Sequence, residues 1–320
     1  MKTTVLPKNG KTAESSRPGG RGGIAPAGPR RRGPAGPGGP GGPGGPGGPG
    51  RILGRALLYV VLTVLSAAVL VPFIWMLVSS LKADNEVFTV PIQWIPESFR
   101  WENFSDIWTE IPLWTYMGNS LFLSVVITAL QVLTGSFAAY GFAKVRFPGR
   151  DAVFLAYIAT IAVPWQAYMV PQYIIMQKLG LVNTHLSLIL LQAFGAFGVF
   201  LMRQYYLTIP DEMSEAARLD GLSEYGIWAR IVLPLSKPAL ASLALLTFVN
   251  TWNDYMGPFI YLTDNNLWTV QLGLRSFVGM YSSEYAMIMT GSVLSVLPIL
   301  VVFLLGQRYF VQGISTSGMK

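Results

Sequence analysis

Six long stretches of this chain contain no Asp, Glu, Lys or Arg, and nothing else in the sequence restricts its fold so tightly. They are Ala56–Leu81, Ile111–Ala143, Ala152–Gln177, Leu179–Met202, Pro238–Asn253 (resuming after Asp254 through Thr263) and Tyr285–Gln307. A helix needs about 20 mostly apolar residues to cross a hydrocarbon core ~30 Å thick, and all six candidates can supply that. None alternates with the period of two that barrel strands require, so the backbone must satisfy its hydrogen bonds within helices. The expectation is an all-α, polytopic membrane protein with six transmembrane helices. The spans fall at approximately residues 56–81, 117–143, 152–177, 185–203, 238–263 and 285–307. Charged residues make up 12% of the chain, about half the usual share of a soluble domain, which agrees.

The formal charge of +7 suggests an acidic partner until it is resolved along the chain. Residues 1–50 hold eight basic groups and one acid, Glu14, whereas residues 51–320 hold fifteen of each sign. The excess therefore belongs to a Gly/Pro-rich tail, ending in Gly-Pro-Gly triplets up to Pro49-Gly50, and the body is neutral. Five triplets are too few for a collagen-like stalk, so the tail reads as a disordered, extended basic linker ahead of a net-neutral, apolar body at 51–320. No apolar run follows Lys2, as a cleaved signal peptide would need. With six spans, one side of the membrane receives eleven basic residues of the body and the other receives Lys82, Arg100, Lys178 and Arg275. The positive-inside rule then puts both termini in the cytoplasm of a cell-membrane protein. There is no cysteine and one histidine, His185. That removes disulfides, Cys-ligated zinc, multi-His metal sites and the usual Ser-His-Asp triad. No catalytic residue, metal or cofactor is expected.

Gly135, Ala139 and Ala143 form a small-residue stripe that permits close helix approach. Pro164, Pro171 and Pro298 interrupt spans, which is tolerated where freed carbonyls face protein or a wet path. Asn250, Trp252, Asn253 and Asp254 place two amides, an indole and a carboxylate in one span. Such groups are costly in a bilayer unless they pair or face water, so they serve either a solute path or interhelical hydrogen bonds. Asn119, Gln131 and Gln166 are further polar residues within the spans, compatible with a path for a polar solute.

Residues 211–237 are too polar to cross and too helical to be slack. Asp211 and Glu212 suit the first turn of a helix after Pro210; the pattern runs through Glu215-Ala216-Ala217 and stops near Gly221. Ser223 can cap a second short helix running through Trp228 and Ile231, which Pro234 follows. Such a rigid projection suits either docking onto a cytoplasmic partner or simple linkage of two spans, and its charges nearly cancel, which argues against nucleic acid.

Glu215-Ala216-Ala217, then Asp220-Gly221, then Ile231-Val232-Leu233-Pro234 resembles the EAA loop of ABC-importer permeases. Asn119-Ser120-Leu121, Arg146-Phe147-Pro148-Gly149-Arg150, Leu179–Thr184, Trp252-Asn253-Asp254 and Gln307–Gly313 are similar to the carbohydrate-uptake class, specifically the six-span permease subunit of maltose-type systems. The tail and Ile314–Lys320 depart from that pattern. The resemblance implies a type I ABC-importer fold and sugar translocation by alternating access. It implies as partners an ATP-binding-cassette ATPase dimer, a second related permease (heterodimer) and an extracytoplasmic solute-binding protein. Glu215, Ala216, Ala217, Asp220, Gly221, Ile231, Leu233 and Pro234 would couple to the ATPase; Asn119, Gln166, Asn250, Trp252, Asn253 and Asp254 are candidates for the substrate path. Gly10-Lys11-Thr12 ends like a phosphate loop, but Val5 stands where its first glycine belongs. A secondary transporter and a non-transporting scaffold are the competing classes.

Overall fold

The computed structural model describes residues 49–279 and 283–317. The linker reading of residues 1–50 therefore lies, except for its last two residues, outside the described part. The chain divides into two compact units, residues 1–60 and 61–320, and the contacts below lie within the second.

The described residues are nearly all helical, with one isolated antiparallel bridge, Val278 to Ser283. In chain order they form α1 (Pro49–Ser79), α2 (Asn103–Glu110), α3 (Leu113–Lys144), α4 (Arg150–Ala159), α5 (Met169–Lys178), α6 (His185–Gln192) and α7 (Ala196–Tyr206). There follow α8 (Asp211–Leu219), α9 (Glu224–Ile227), α10 (Leu233–Leu235), α11 (Lys237–Trp252), α12 (Met256–Tyr261), α13 (Val270–Gly273) and α14 (Tyr285–Ser317).

Four helical segments are long and apolar enough to cross a membrane: Leu53–Ser79, Leu113–Lys144, His185–Tyr206 and Tyr285–Gln307. A fifth results if Glu224–Leu235 and Lys237–Trp252, which meet at 82°, are taken as one span. Two of the six expected spans are thus in pieces. In 152–177, Pro164 has no N–H to give and holds Val163 at φ −83°, ψ 114°, so α4 ends and α5 starts afresh at Met169. In 238–263, α11 stops at Trp252 and α12 begins at Met256. Even the fourth span is interrupted at Ala193–Gly195.

The unbroken α3 is the centre of the packing: α7 and α11 lie along it, and α14 lies along α11. The small-residue stripe meets α7, where a methyl added at Gly135 would sit 3.4 Å from the Gly198 carbonyl carbon. Ala139 and Ala143 are buried in a core shared with Met202 and Tyr206 of α7 and with Ala217, Ile227 and Val232 of the 211–237 segment. A second core, at the opposite end of α3, joins Ile107, Leu113 and Tyr116 to Val270 and Leu274. The residues just after α1 are held by α2: Asn103 Nδ2 donates to the Ser80 and Lys82 carbonyls at 2.9 and 3.0 Å. From Val61 to Ile74 every side chain of α1 is exposed.

Candidate functional site

Three helix interruptions converge on one cavity of about 380 Å³. Trp165 and Tyr168 come from the break between α4 and α5, Gln192 and Phe194 from that between α6 and α7, and Asp254 and Met256 from that between α11 and α12. Gln131 of α3 and Gln172 of α5 complete its polar wall, with Tyr261 beside them. A broken helix leaves backbone groups without partners, and here neighbouring side chains take them up. Gln131 Nε2 donates to the Gln192 carbonyl at 2.7 Å, and Thr134 Oγ1 to the Ala193 carbonyl at 2.8 Å. Gly195 permits that approach, because a methyl there would lie 2.8 Å from Gln131 Oε1.

Asp254 closes the network. Its Oδ2 accepts from Gln192 Nε2 at 2.9 Å, and its Oδ1 accepts from the Gly257 N–H at 3.0 Å in the first turn of α12. Across the cavity, the Trp165 indole N–H donates to Gln172 Oε1 at 2.8 Å. The wall therefore offers aromatic faces, amide donors and acceptors, and one carboxylate.

The other sequence-predicted path residues lie elsewhere. Asn119 Nδ2 donates to the carbonyls of Asn266 and Trp268 at 2.8 and 2.9 Å, tying α3 to the segment before α13. Trp252 is 1% exposed, and its indole donates to the Ser295 carbonyl and hydroxyl at 3.1 and 3.3 Å. Asn253 is exposed and donates back to the Val249 carbonyl at 3.0 Å. Asn250 is exposed on α11, and Gln166 is exposed next to Trp165. Of the six, Asp254 lines the cavity. Trp165, Gln172 and Gln192 were missed, although amides and aromatics set against Pro164, Pro171 and Gly195 were the available signal.

The 211–237 segment forms a helix-turn-helix. α8 starts directly after Pro210, with Asp211 and Glu212 in its first turn, and Gly221 turns the chain at φ +82°, a left-handed value that suits glycine. Ser223 Oγ accepts from the Gly226 N–H at 3.3 Å and caps α9. Helical structure continues past the expected stop at Pro234 to Leu235, by way of a π turn at Trp228–Val232. The wider turn accommodates a proline that brings no N–H, and the Val232 carbonyl accepts from both the Ser236 N–H at 3.1 Å and Ser236 Oγ at 2.8 Å. Glu215, Ala216, Asp220, Gly221 and Pro234 are exposed, Ala217 is buried, and Ile231 and Leu233 are half-buried.

Two side chains one turn apart on α3 fasten this projection. Lys144 Nζ donates to Asp211 Oδ1 and to the Ile209 carbonyl, both at 2.6 Å. Tyr140 donates its hydroxyl to Glu224 Oε2 at 2.5 Å, and Arg218 Nε holds Glu224 Oε1 at 2.6 Å. The hydrogen bond from Lys144 lowers the Asp211 pKa below the usual carboxylate value, and the one from Arg218 does the same for Glu224. The N-termini of α8 and α9 are therefore both pinned to one helix by carboxylates that stay ionised at neutral pH.

A bundle of interrupted helices around a polar cavity, with a helix-turn-helix fixed to one end, is the build of a membrane permease. Residues 131–316 match the family described as binding-protein-dependent transport system inner membrane component, and the chain belongs to that family. It is 36% identical over 252 residues to the arabinooligosaccharides transport system permease of Halalkalibacterium halodurans, covering 78% of this chain and 90% of the relative. It is 34% identical over 267 residues to the sn-glycerol-3-phosphate transport system permease of Pectobacterium atrosepticum, covering 81% and 95%. Its fold matches a chain of a bacterial ABC transporter involved in import of the acidic polysaccharide alginate, with a TM-score of 0.71 and 25% identity over 81% of this chain and 97% of that one. The protein is a membrane transport component rather than an enzyme.

Proposed function

We propose that the chain is one of two related permease subunits of an ATP-driven importer, moving a sugar or oligosaccharide into the cytoplasm by alternating access. It crosses the membrane six times, the broken pairs α4–α5 and α11–α12 each making one crossing, with both termini in the cytoplasm. The basic residues of the body support that orientation, eleven against four. A second permease is supported by the exposed, charge-free length of α1 from Val61 to Ile74, which the chain's own body leaves uncovered. The sugar assignment is supported by the saccharide-transporting relatives and by a cavity wall of amides and aromatic rings.

One observation carries the mechanism: α3 holds the projection through Tyr140 and Lys144 and reaches the cavity through Gln131. From Gln131 to Lys144 is thirteen residues, about 20 Å of unbroken helix. Closing of an ATPase dimer beneath Glu215–Pro234 would move α8, and α3 would carry that movement as a rigid rod to the three breaks, which can bend. The experiment is Gly221→Pro. Proline fixes φ near −65° and cannot adopt the +82° that the turn requires. Expected is loss of sugar uptake with membrane insertion retained; normal uptake by this variant would sink the coupling assignment.

A further inference from the structure

We propose that the cavity at the three helix breaks passes uncharged polyhydroxyl solutes and turns anionic ones away, with Asp254 as the specificity-determining residue. This rests on the reading of the cavity as part of the solute path. The relatives leave the point open, because their printed solutes include an oligosaccharide, a phosphate ester and an acidic polysaccharide.

The wall decides between them. Carboxylates and phosphates are bound by guanidinium, ammonium or convergent N–H donors. Among the residues lining the cavity there is no Lys, Arg or His. The single formal charge is the Asp254 carboxylate, and both of its oxygens accept from nitrogen donors, as an ionised carboxylate does. The Gly257 N–H holds it in place, and glycine there permits the close approach, since a methyl would come 2.5 Å from Oδ2. Hydroxyl-rich solutes find what they need: Gln131, Gln172 and Gln192 supply both donors and acceptors, and Trp165, Tyr168 and Tyr261 supply apolar faces for ring C–H groups. An anion entering here meets like charge and no compensating cation.

The native chain has no cysteine, so one introduced thiol is unique to it. In the assembled permease–ATPase complex, Leu191→Cys places that thiol on the cavity wall, and Phe194→Cys is the second reporter should the first fail to assemble. The probes are trimethylammonium-ethyl and sulfonato-ethyl methanethiosulfonate, each rate normalised to that with a free small thiol and read by the mass of this chain. Expected is a preference of about tenfold for the cationic probe, falling to about one in Asp254→Asn. Equal rates with Asp254 intact, or a preference that survives Asp254→Asn, would overturn the charge assignment and leave the path reading standing. Failure of both probes at both positions, with and without ATP, would remove the cavity from the path altogether.

Discussion

Lys144→Met should uncouple the transporter more severely than Asp211→Asn, although the two residues are partners. Lys144 has 2% of its side chain exposed, and Asp211 has 65%. The ion pair itself is half in water, where such pairs contribute about 0–1 kcal/mol. The second bond of Lys144 is different, because it reaches the Ile209 carbonyl in a buried setting. Removing a donor from a buried acceptor costs about 1–3 kcal/mol. The methionine variant loses both contributions, about 1–4 kcal/mol, whereas Asp211→Asn loses only part of the first. A difference of 2 kcal/mol is roughly thirtyfold in an equilibrium between a docked and an undocked projection. The assay compares sugar uptake with ATP hydrolysis by the complex in proteoliposomes: uptake should fall while hydrolysis continues. A charge exchange, Lys144→Asp with Asp211→Lys, should restore little, since the Ile209 carbonyl stays without its donor. The pH dependence has a definite sign. The folded-state pKa of Asp211 is depressed, so its contribution is full above the ordinary carboxylate value and is lost as pH falls through the depressed one. Between pH 6 and 8 the ranking of the two variants should therefore not change. Equal uptake by Lys144→Met and Asp211→Asn, or a defect larger in the asparagine variant, would refute the assignment of weight to the buried bond.

Trp252→Phe should lower thermal stability by about 1–3 kcal/mol by stripping Ser295 of its indole donor, with no change in the charge preference of the cavity; a shift in that preference would put Trp252 in the path after all. Gly195→Ala should push the Gln131 amide away from its present position, weakening a contact of about 1 kcal/mol, and reduce uptake severalfold while the complex still assembles. Unchanged uptake would mean that Gln131 does not need its place.

Fold class was legible because the bilayer imposes one requirement, length without charge, that composition along the chain reports directly. Interruption was legible only in part. Pro164 announced the break after α4, since a residue without an N–H acts on its immediate neighbours. The break at Ala193–Gly195 has no proline. It depends on Gln131 and Thr134, sixty-one and fifty-nine residues away from the carbonyls they take up, and no local window contains both sides of that exchange. The helix-turn-helix was legible nearly residue by residue, because first-turn acids, the φ-positive glycine and the Ser223 cap are local devices.

The same division explains the site. Asp254 stood out as a charge inside an apolar stretch, and it does face the cavity. Asn253 and Trp252 stood beside it in sequence but fall on other sides of the chain, because a helix end turns consecutive residues in different directions: one back along α11, one into Ser295 of α14, one into the cavity. A polar cluster in sequence therefore marks where a membrane helix ends, and the neighbours across the break decide which member faces the cavity. For Asp254 those neighbours are Gln192 and Gly257, and for the projection they are Tyr140 and Lys144 on α3. Gln192 lies sixty-two residues from its partner Asp254, while Lys144 and Tyr140 lie sixty-seven and eighty-four from theirs. What joins these separations is the close approach at Gly135 and Gly198, which brings α3 against α7 and leaves Gln131 facing one break while Lys144 faces the loop. The small-residue stripe thus lets one helix serve both the cavity and the projection.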